Sequence, residues 1–423
     1  MQLRKFRRLV AFANARSPFY RRVIAERGIR IEHCVPEDFP VLTKQEAAWN
    51  FDQLVTDPGV TRARVAEFLA RSNDPRDLLD GRYRVLHTSG TSGVLGYSVF
   101  SREAWVKGAS HAARAAPLGW RRRVAFLAAT EGHFAGVSLI LTGNEGTNSL
   151  FYNVRPFDVG RPLASLIEEL NEFQPQALSG YGTALKSLAE AQERGELRIR
   201  PRFVGNGGEP LQPDTRQILE RVFRTRVLNA YASSEHLYMA MTFHKRDGMH
   251  LLEDDLIFEL RDDHTLVTNL FNELMPLIRY RMDDVLVPDM DGPNPLPFRK
   301  VKSLVGRREH SLTFVNEHGE TDWIHPIVIV ELMAPGVSGW QIALKGDTHF
   351  VARARLQDSL TESEGRLALQ GLDTALRSIL EKKEMRNVTF EIEVVDQLPL
   401  DPKSGKFRLV TREPDAREQP TPV

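Results

Sequence analysis

The stretch HTSGTSGVLGYS, His87–Ser98, concentrates three glycines and five Ser/Thr hydroxyls in twelve residues. Glycines let backbone N–H groups converge on an anion without side chains in the way, and hydroxyls add donors that suit phosphate oxygens. Upstream, Tyr83–His87 reads as a strand, and downstream Arg102–Ala116 reads as a helix. Strand, glycine-rich loop and helix together suit a nucleotide phosphate chain. Two familiar phosphate loops are excluded. No Gly-Lys-Ser/Thr completes a Walker loop, and Gly90, Gly93 and Gly96 do not have GxGxxG spacing. A surface linker of the same composition stays open at this point.

The rest of the chain narrows the classes. At 423 residues, with 42% apolar and 26% charged residues, it has the composition of an ordinary globular protein of two or three domains. Lys+Arg and Asp+Glu both number 56, which argues against a nucleic-acid binder. Lys5–Arg8 and Arg121–Arg123 read as solvated faces. The single cysteine, Cys34, excludes an intramolecular disulfide and a multi-cysteine zinc site. No apolar run approaches the ~18 residues of a membrane span, and the N-terminus does not read as a signal peptide, so a cytoplasmic protein is the default.

The first ~80 residues read as polar helices with Leu9, Phe12, Phe19 and Tyr20 as packing points. From Arg84, apolar runs (Val124–Ala129, Ala177–Gly180, Phe203–Gly205, Val227–Tyr231) alternate with helices such as Leu163–Phe173 and Thr215–Phe223. This implies an α/β domain with a largely parallel sheet. LIFEL and TLVTNL then read as a strand pair about the turn Arg261–His264. Residues 288–297 read as a loop. A helix over about Glu362–Leu380 and an alternating strand at Val388–Val394 follow. The expected architecture is a large N-terminal α/β domain with mixed sheets, residues 1–308, and a small mobile C-terminal α+β domain, 309–423, with a frayed tail from Glu413.

Six further segments follow in order: GHFAG (132–136), GNGGEP (205–210), NAYASSEH (229–236), MPLIRYRMDD (275–284), VGRREH (305–310) and LPLDPKSGKFR (398–408). With TSGTSG, and with SPFYRRV and PVLTK near the start, this order resembles the adenylate-forming superfamily, in its phenylacetate–CoA ligase-like branch. The resemblance runs from about residue 1 to 410.

It implies a site. Thr88, Ser89, Thr91 and Ser92, with Gly90 and Gly93, would hold the β,γ-phosphates of ATP. Tyr231 would stack on adenine against Gly207–Gly208, with Asn229 at the adenine amino edge. Glu209, Ala230 and Ser234 would complete the nucleotide site. Glu235 would ligate Mg²⁺ through hard carboxylate oxygens. Asp284 would accept both ribose hydroxyls, and Arg307 would reach ribose or phosphate from the hinge. Lys406 would neutralise charge as the adenylate forms, so Lys406, Glu235 and Thr91 are the expected catalytic residues. His133, Phe134, Gly136 and Gly182 would line the acyl pocket.

The implied reaction activates a small carboxylic acid, aryl or arylacetic, as an acyl-adenylate and passes it to a thiol, coenzyme A in the first instance. A transferase or synthetase that does not use coenzyme A is the alternative; its acceptor would be a coenzyme hydroxyl, an amine or a carrier protein. A nucleotide-binding protein without catalysis is a third reading. A homodimer is one option for assembly. Five positions depart from the family pattern: Val94–Leu95 replace Lys-Pro, Asp283 and Ala232 replace glycines, and Glu309 replaces the hinge aspartate.

Overall fold

The computed structural model describes residues 1–88, 96–115, 121–243, 248–290, 294, 296–305, 312–324, 328–329, 334–399 and 409–412. The chain forms two compact units. The first comprises Met1–Thr88, Gly96–Phe157 and Leu170–Gly306, and the second combines Asp158–Glu169 with the described part of 307–423.

The first unit begins with five helices: α1 (Gln2–Arg16), α2 (Pro18–Arg27), α3 (Lys44–Trp49), α4 (Phe51–Leu54) and α5 (Arg62–Arg71). Phe6, Leu9, Val10 and Ala13 fall three or four apart and bury one stripe of α1. Ser17 stops α1 and starts α2: its hydroxyl accepts from Tyr20 N, and Pro18 occupies the first turn. Tyr20 is buried, donates to Pro276 O at 3.0 Å and accepts from Ile278 N at 3.1 Å. The helical region is thereby tied to the MPLIRYRMDD segment.

Fourteen strands follow among the described residues of this unit. They are β1 (Arg84–His87), β2 (Tyr97–Phe100), β3 (Arg122–Ala128), β4 (Tyr152–Asp158), β5 (Ala177–Gly180), β6 (Phe203–Gly207), β7 (Val227–Ser233), β8 (Leu237–Met241), β9 (Met249–Leu251), β10 (Leu256–Leu260), β11 (Thr265–Asn269), β12 (Tyr280–Met282), β13 (Val285–Pro288) and β14 (Lys300–Val305). Between them lie α6 (Arg102–Ser110), α7 (Ala135–Leu141), α8 (Leu163–Phe173), α9 (Gly182–Glu193) and α10 (Pro213–Phe223). A nine-stranded sheet runs β13-β14-β9-β8-β7-β6-β5-β3-β4.

The parallel part of that sheet, β3-β5-β6-β7, is built from apolar runs with α9 and α10 as crossovers. Beyond β7 the pairings are antiparallel, so the sheet is mixed rather than largely parallel. The reason is connection length: three residues join β7 to β8, too few for a crossover. LIFEL and TLVTNL pair as expected, Leu256 opposite Asn269.

The second unit holds the hairpin β15 (Leu312–Val315) and β16 (Thr321–Ile324) and a four-stranded sheet, β19-β18-β17-β20. Its strands are β17 (Val337–Leu344), β18 (His349–Leu356), β19 (Thr389–Val394) and β20 (Val410–Arg412), and α11 (Glu362–Lys382) packs against it. Ala368, Leu372, Leu376 and Leu380 form the buried stripe of α11, and a Thr361–Glu364 capping box fixes its start. No helix among the described residues is long and apolar enough to cross a membrane.

Candidate active site

Three of the quoted motifs meet at His87, the last residue of β1. Its N–H donates to His133 O at 3.1 Å, which draws in GHFAG, and its carbonyl accepts from Ser234 Oγ at 3.3 Å, which draws in NAYASSEH. The His87 ring packs on Phe134 with centroids 4.4 Å apart, and burial pushes its pKa down to about 4. Next in sequence, Thr88 pairs with Gly96 across the base of the loop. Thr88 N donates to Gly96 O at 2.9 Å, and Gly96 N donates to Thr88 Oγ1 at 3.1 Å. Ser89, Gly90, Thr91, Ser92 and Gly93 lie outside the described residues, as do Arg307 and Lys406.

Two carboxylates named from sequence are each held by a tyrosine hydroxyl. Tyr280 on β12 donates to Glu235 Oε1 at 3.2 Å. Tyr231 on β7 donates to Asp284 Oδ2 at 2.7 Å. Burial first, and the adjacent carboxylates second, raise both tyrosine pKa values well above the ordinary phenol range. Both phenols stay protonated donors at neutral pH, so the carboxylates keep fixed orientations. Nothing in MPLIRYRMDD alone marks Tyr280 for this contact: its partner is forty-five residues away, so no local spacing reveals the pair.

β6 and β7 run parallel with Asn206 opposite Asn229. Asn206 Nδ2 donates to Asn229 Oδ1 at 2.7 Å and to Glu209 O at 2.9 Å. Ala230 stands opposite Gly207 in the same register. Gly208 turns the chain at φ +85°, and a Cβ there would come within 2.6 Å of the Tyr181 ring. Only glycine suits both demands. The Glu209 carboxylate accepts from Thr183 N and, at 3.3 Å, from Thr183 Oγ1, in the first turn of α9. A Cβ on Gly182 would sit 2.7 Å from Asn206 Oδ1, so Gly182 lies in this cluster.

His133 is buried, with Nε2 3.1 Å from Ser72 Oγ, its ring 4.9 Å from Phe68, and its pKa lowered by burial. Gly136, the second residue of α7, lies beside the Phe126 ring. Asn229 also lines an open cavity of about 680 Å³, together with Arg216, Glu220, Arg224, Arg226 and Lys302.

A second group of metal-ligand residue types, His111, Asp254 and Asp255, is already committed to cations. Asp255 accepts from Lys5 at 2.8 Å and Lys107 at 2.9 Å, and Arg114 pairs with Asp254. Burial of Asp255 raises its pKa, but bonds from His111, Lys5 and Lys107 outweigh that and hold it well below the carboxylate range.

His236, next to Glu235, is fully buried against Tyr280, and neither ring nitrogen has a hydrogen-bond partner among the described residues. Burial depresses its pKa to about 3. The unfolded chain binds this proton below about pH 6.5 and the folded chain does not until far lower, so stability falls as pH drops through that window. His236→Phe is therefore expected to lose about 2 kcal/mol less stability than wild type between pH 7 and pH 5. Urea midpoints at the two pH values check this; identical acid losses would refute it.

No protein-family model matches the chain. Protein CapK of Staphylococcus aureus is 28% identical over 180 residues, which is 40% of this chain and 39% of CapK. The match thus spans about two-fifths of that relative. Among solved structures, an open conformation of 2-hydroxyisobutyryl-CoA ligase in complex with 2-HIB-AMP and CoA aligns with 97% of this chain and 91% of its own. Its TM-score is 0.59 and its identity 17%. The same ligase in the postadenylation state with 2-HIB-AMP aligns with 97% of this chain and 89% of its own, at TM-score 0.60 and 19% identity. The chain thus shares its overall fold with these ligase structures.

Proposed function

We propose that this protein activates a carboxylic acid with ATP as an acyl-adenylate and then transfers the acyl group to a thiol, coenzyme A. The observation that carries this reading is the pairing of Glu235 with Tyr280 and of Asp284 with Tyr231, beside the Gly207–Gly208 turn and the Thr88–Gly96 loop base. In the first step a substrate carboxylate oxygen attacks the α-phosphorus, the bond to the β-phosphate oxygen breaks, and pyrophosphate leaves. In the second, a thiolate attacks the acyl carbon and AMP leaves with the bonding pair.

Each residue has a task within that scheme. Asp284, oriented by Tyr231, accepts the ribose hydroxyls. The flat backbone at Gly207–Gly208 meets the adenine face, with Asn229 at its edge. Lys406 neutralises charge at the α-phosphate. Glu235, a hard oxygen donor held by Tyr280, fits a divalent cation that screens the triphosphate. His133 and Phe134 border the acyl pocket, and an aryl or arylacetic acid is the substrate class we assign to it. The use of ATP and coenzyme A suits a cytoplasmic enzyme.

The test is carboxylate-dependent ATP–pyrophosphate exchange over a panel of acids, followed by product analysis with and without coenzyme A. Exchange with an arylacetic or aryl acid, and thioester only when coenzyme A is present, is the expected result. Exchange with no acid, together with AMP transfer to another acceptor, would overturn it.

A further inference from the structure

The turn SNDPRD, Ser72–Asp77, has no task in the proposed reaction. Ser72 ends α5, where its N–H donates to Phe68 O at 3.0 Å. Pro75 then takes the second position of a β-turn that Asp77 N closes on Asp74 O at 3.0 Å. Arg76 engages both oxygens of Asp74, with Nε 2.9 Å from Oδ1 and Nη2 2.7 Å from Oδ2, and Arg84 of β1 donates to Pro75 O at 2.9 Å. The Asp74 carboxylate is thereby occupied and the turn is tied to β1, while Asp77 stays within reach of Ser72.

Three contacts fasten GHFAG to this segment. Gly132 N donates to Asn73 O at 2.7 Å, the His133 ring lies 4.9 Å from that of Phe68, and His133 Nε2 lies 3.1 Å from Ser72 Oγ. Ser72 Oγ donates in turn to Asp77 Oδ2 at 2.6 Å. The chain of groups runs inward from exposed Asp77 through half-buried Ser72 to buried His133. A serine hydroxyl has one proton to give. With that proton directed at Asp77, Ser72 accepts from the ring, so Nε2 carries the imidazole proton. Burial lowers the His133 pKa, Arg84 adds to the lowering, and Asp77 and Asp74 oppose it, so the ring is neutral at pH 7. Nδ1 is then the bare nitrogen; it is buried and has no hydrogen-bond partner among the described residues.

We propose that Asp77 and Ser72 are positioning residues for the acid: they hold His133 as the Nε2–H tautomer, and Nδ1 accepts a hydrogen bond from a hydroxyl on the acyl part of the substrate. This rests on the reading of acid activation given above and narrows the aryl or arylacetic class to its hydroxylated members. An acceptor left unsatisfied in the interior costs about 1–3 kcal/mol, and a donor on the bound acid relieves that cost. An acid that offers only an acceptor at the same place meets the Nδ1 lone pair and gains nothing. Asp77 and Ser72 thereby act on specificity through His133, without touching the substrate.

Two measurements on wild type, Asp77→Ala and Asp77→Asn test this. Asp77 is exposed, so both variants are expected to fold. Alanine frees the Ser72 proton to point at Nε2, which lets the ring proton move to Nδ1, whereas asparagine keeps an oxygen that accepts from Ser72. Ring nitrogen chemical shifts, with the His133 signals identified by their loss in His133→Gln, should show the proton on Nε2 in wild type and Asp77→Asn. Asp77→Ala should show a mixture of tautomers. ATP–pyrophosphate exchange should favour hydroxyphenylacetates over their methoxy counterparts in kcat/KM. That preference should shrink roughly three- to tenfold in Asp77→Ala, the worth of one neutral hydrogen bond, while the KM for MgATP holds and Asp77→Asn stays with wild type. A wild-type proton on Nδ1, or the same preference in Asp77→Ala as in wild type, would overturn the role of Asp77 and Ser72. Exchange with no acid at all would overturn the reading of acid activation instead, and the chemical shifts would still decide the tautomer.

Discussion

Glu235→Gln is expected to lower ATP–pyrophosphate exchange by about a hundredfold or more, with thermal stability unchanged. Glutamine keeps an oxygen that can accept from Tyr280, 3.2 Å away in the wild type, so local packing is preserved. What it loses is the negative charge that would hold a divalent cation against a triphosphate. The defect should therefore be one of metal dependence: exchange rates for Glu235→Gln should saturate at higher magnesium than wild type. Tyr280→Phe removes only the orienting hydroxyl and should cost less, with magnesium dependence shifted in the same direction. Lys406→Ala should match Glu235→Gln in size but leave the magnesium midpoint where it was, because on the proposed reading its charge would act at the α-phosphate. Wild-type exchange and wild-type magnesium dependence in Glu235→Gln would remove Glu235 from the reaction.

Much of this arrangement is legible along the chain, for identifiable reasons. β1, the antiparallel pair β10–β11 and the stripe of α11 follow from local periodicity, with neighbours three, four or two residues away, whereas the strand–loop–helix reading omits β2, which pairs antiparallel with β1 before α6 begins. Mixed sheets are expected from the sequence, but the place of the parallel-to-antiparallel change is not legible in the apolar runs, which look alike on both sides of β7; the short turn at 234–236 decides the direction. The partners of the site residues were equally hidden. Glu235 and Tyr280, Asp284 and Tyr231, and Glu209 and Thr183 are joined over 45, 53 and 26 residues. A single sequence shows that these residue types exist but not which of them touch.

A buried ion pair in the second unit follows the same pattern of long separation, and its removal should produce the largest stability change. Lys383, 1% exposed, places Nζ 3.2 Å and 3.1 Å from the two oxygens of Asp322 and donates to Arg161 O at 2.9 Å. The same carboxylate accepts from Leu163 N at 3.2 Å and Trp323 N at 2.7 Å, so Asp322 joins the segment Asp158–Glu169 to β16 and the end of α11. Burial lowers the Lys383 pKa, and the charge of Asp322 opposes that shift.

Asp322→Asn keeps the shape but removes the opposing charge, and breaking one side of a buried pair costs about 3–5 kcal/mol. The loss should depend on pH with a definite sign. The unfolded chain keeps the lysine proton up to about pH 10.5, while the folded variant, its lysine pKa lowered further, releases it earlier. Stability of Asp322→Asn relative to wild type should therefore be poorest at neutral pH and below, and recover as pH rises toward 10. Adding Lys383→Met removes the stranded ammonium, so the double variant should regain most of the loss at pH 7 and show little of that alkaline recovery. Urea midpoints of the four proteins at pH 7 and pH 9 decide it. If Asp322→Asn were as stable as wild type at pH 7, or if Lys383→Met failed to rescue it, the stabilising element at this position would be the backbone contacts of residue 322 and not the charge pair.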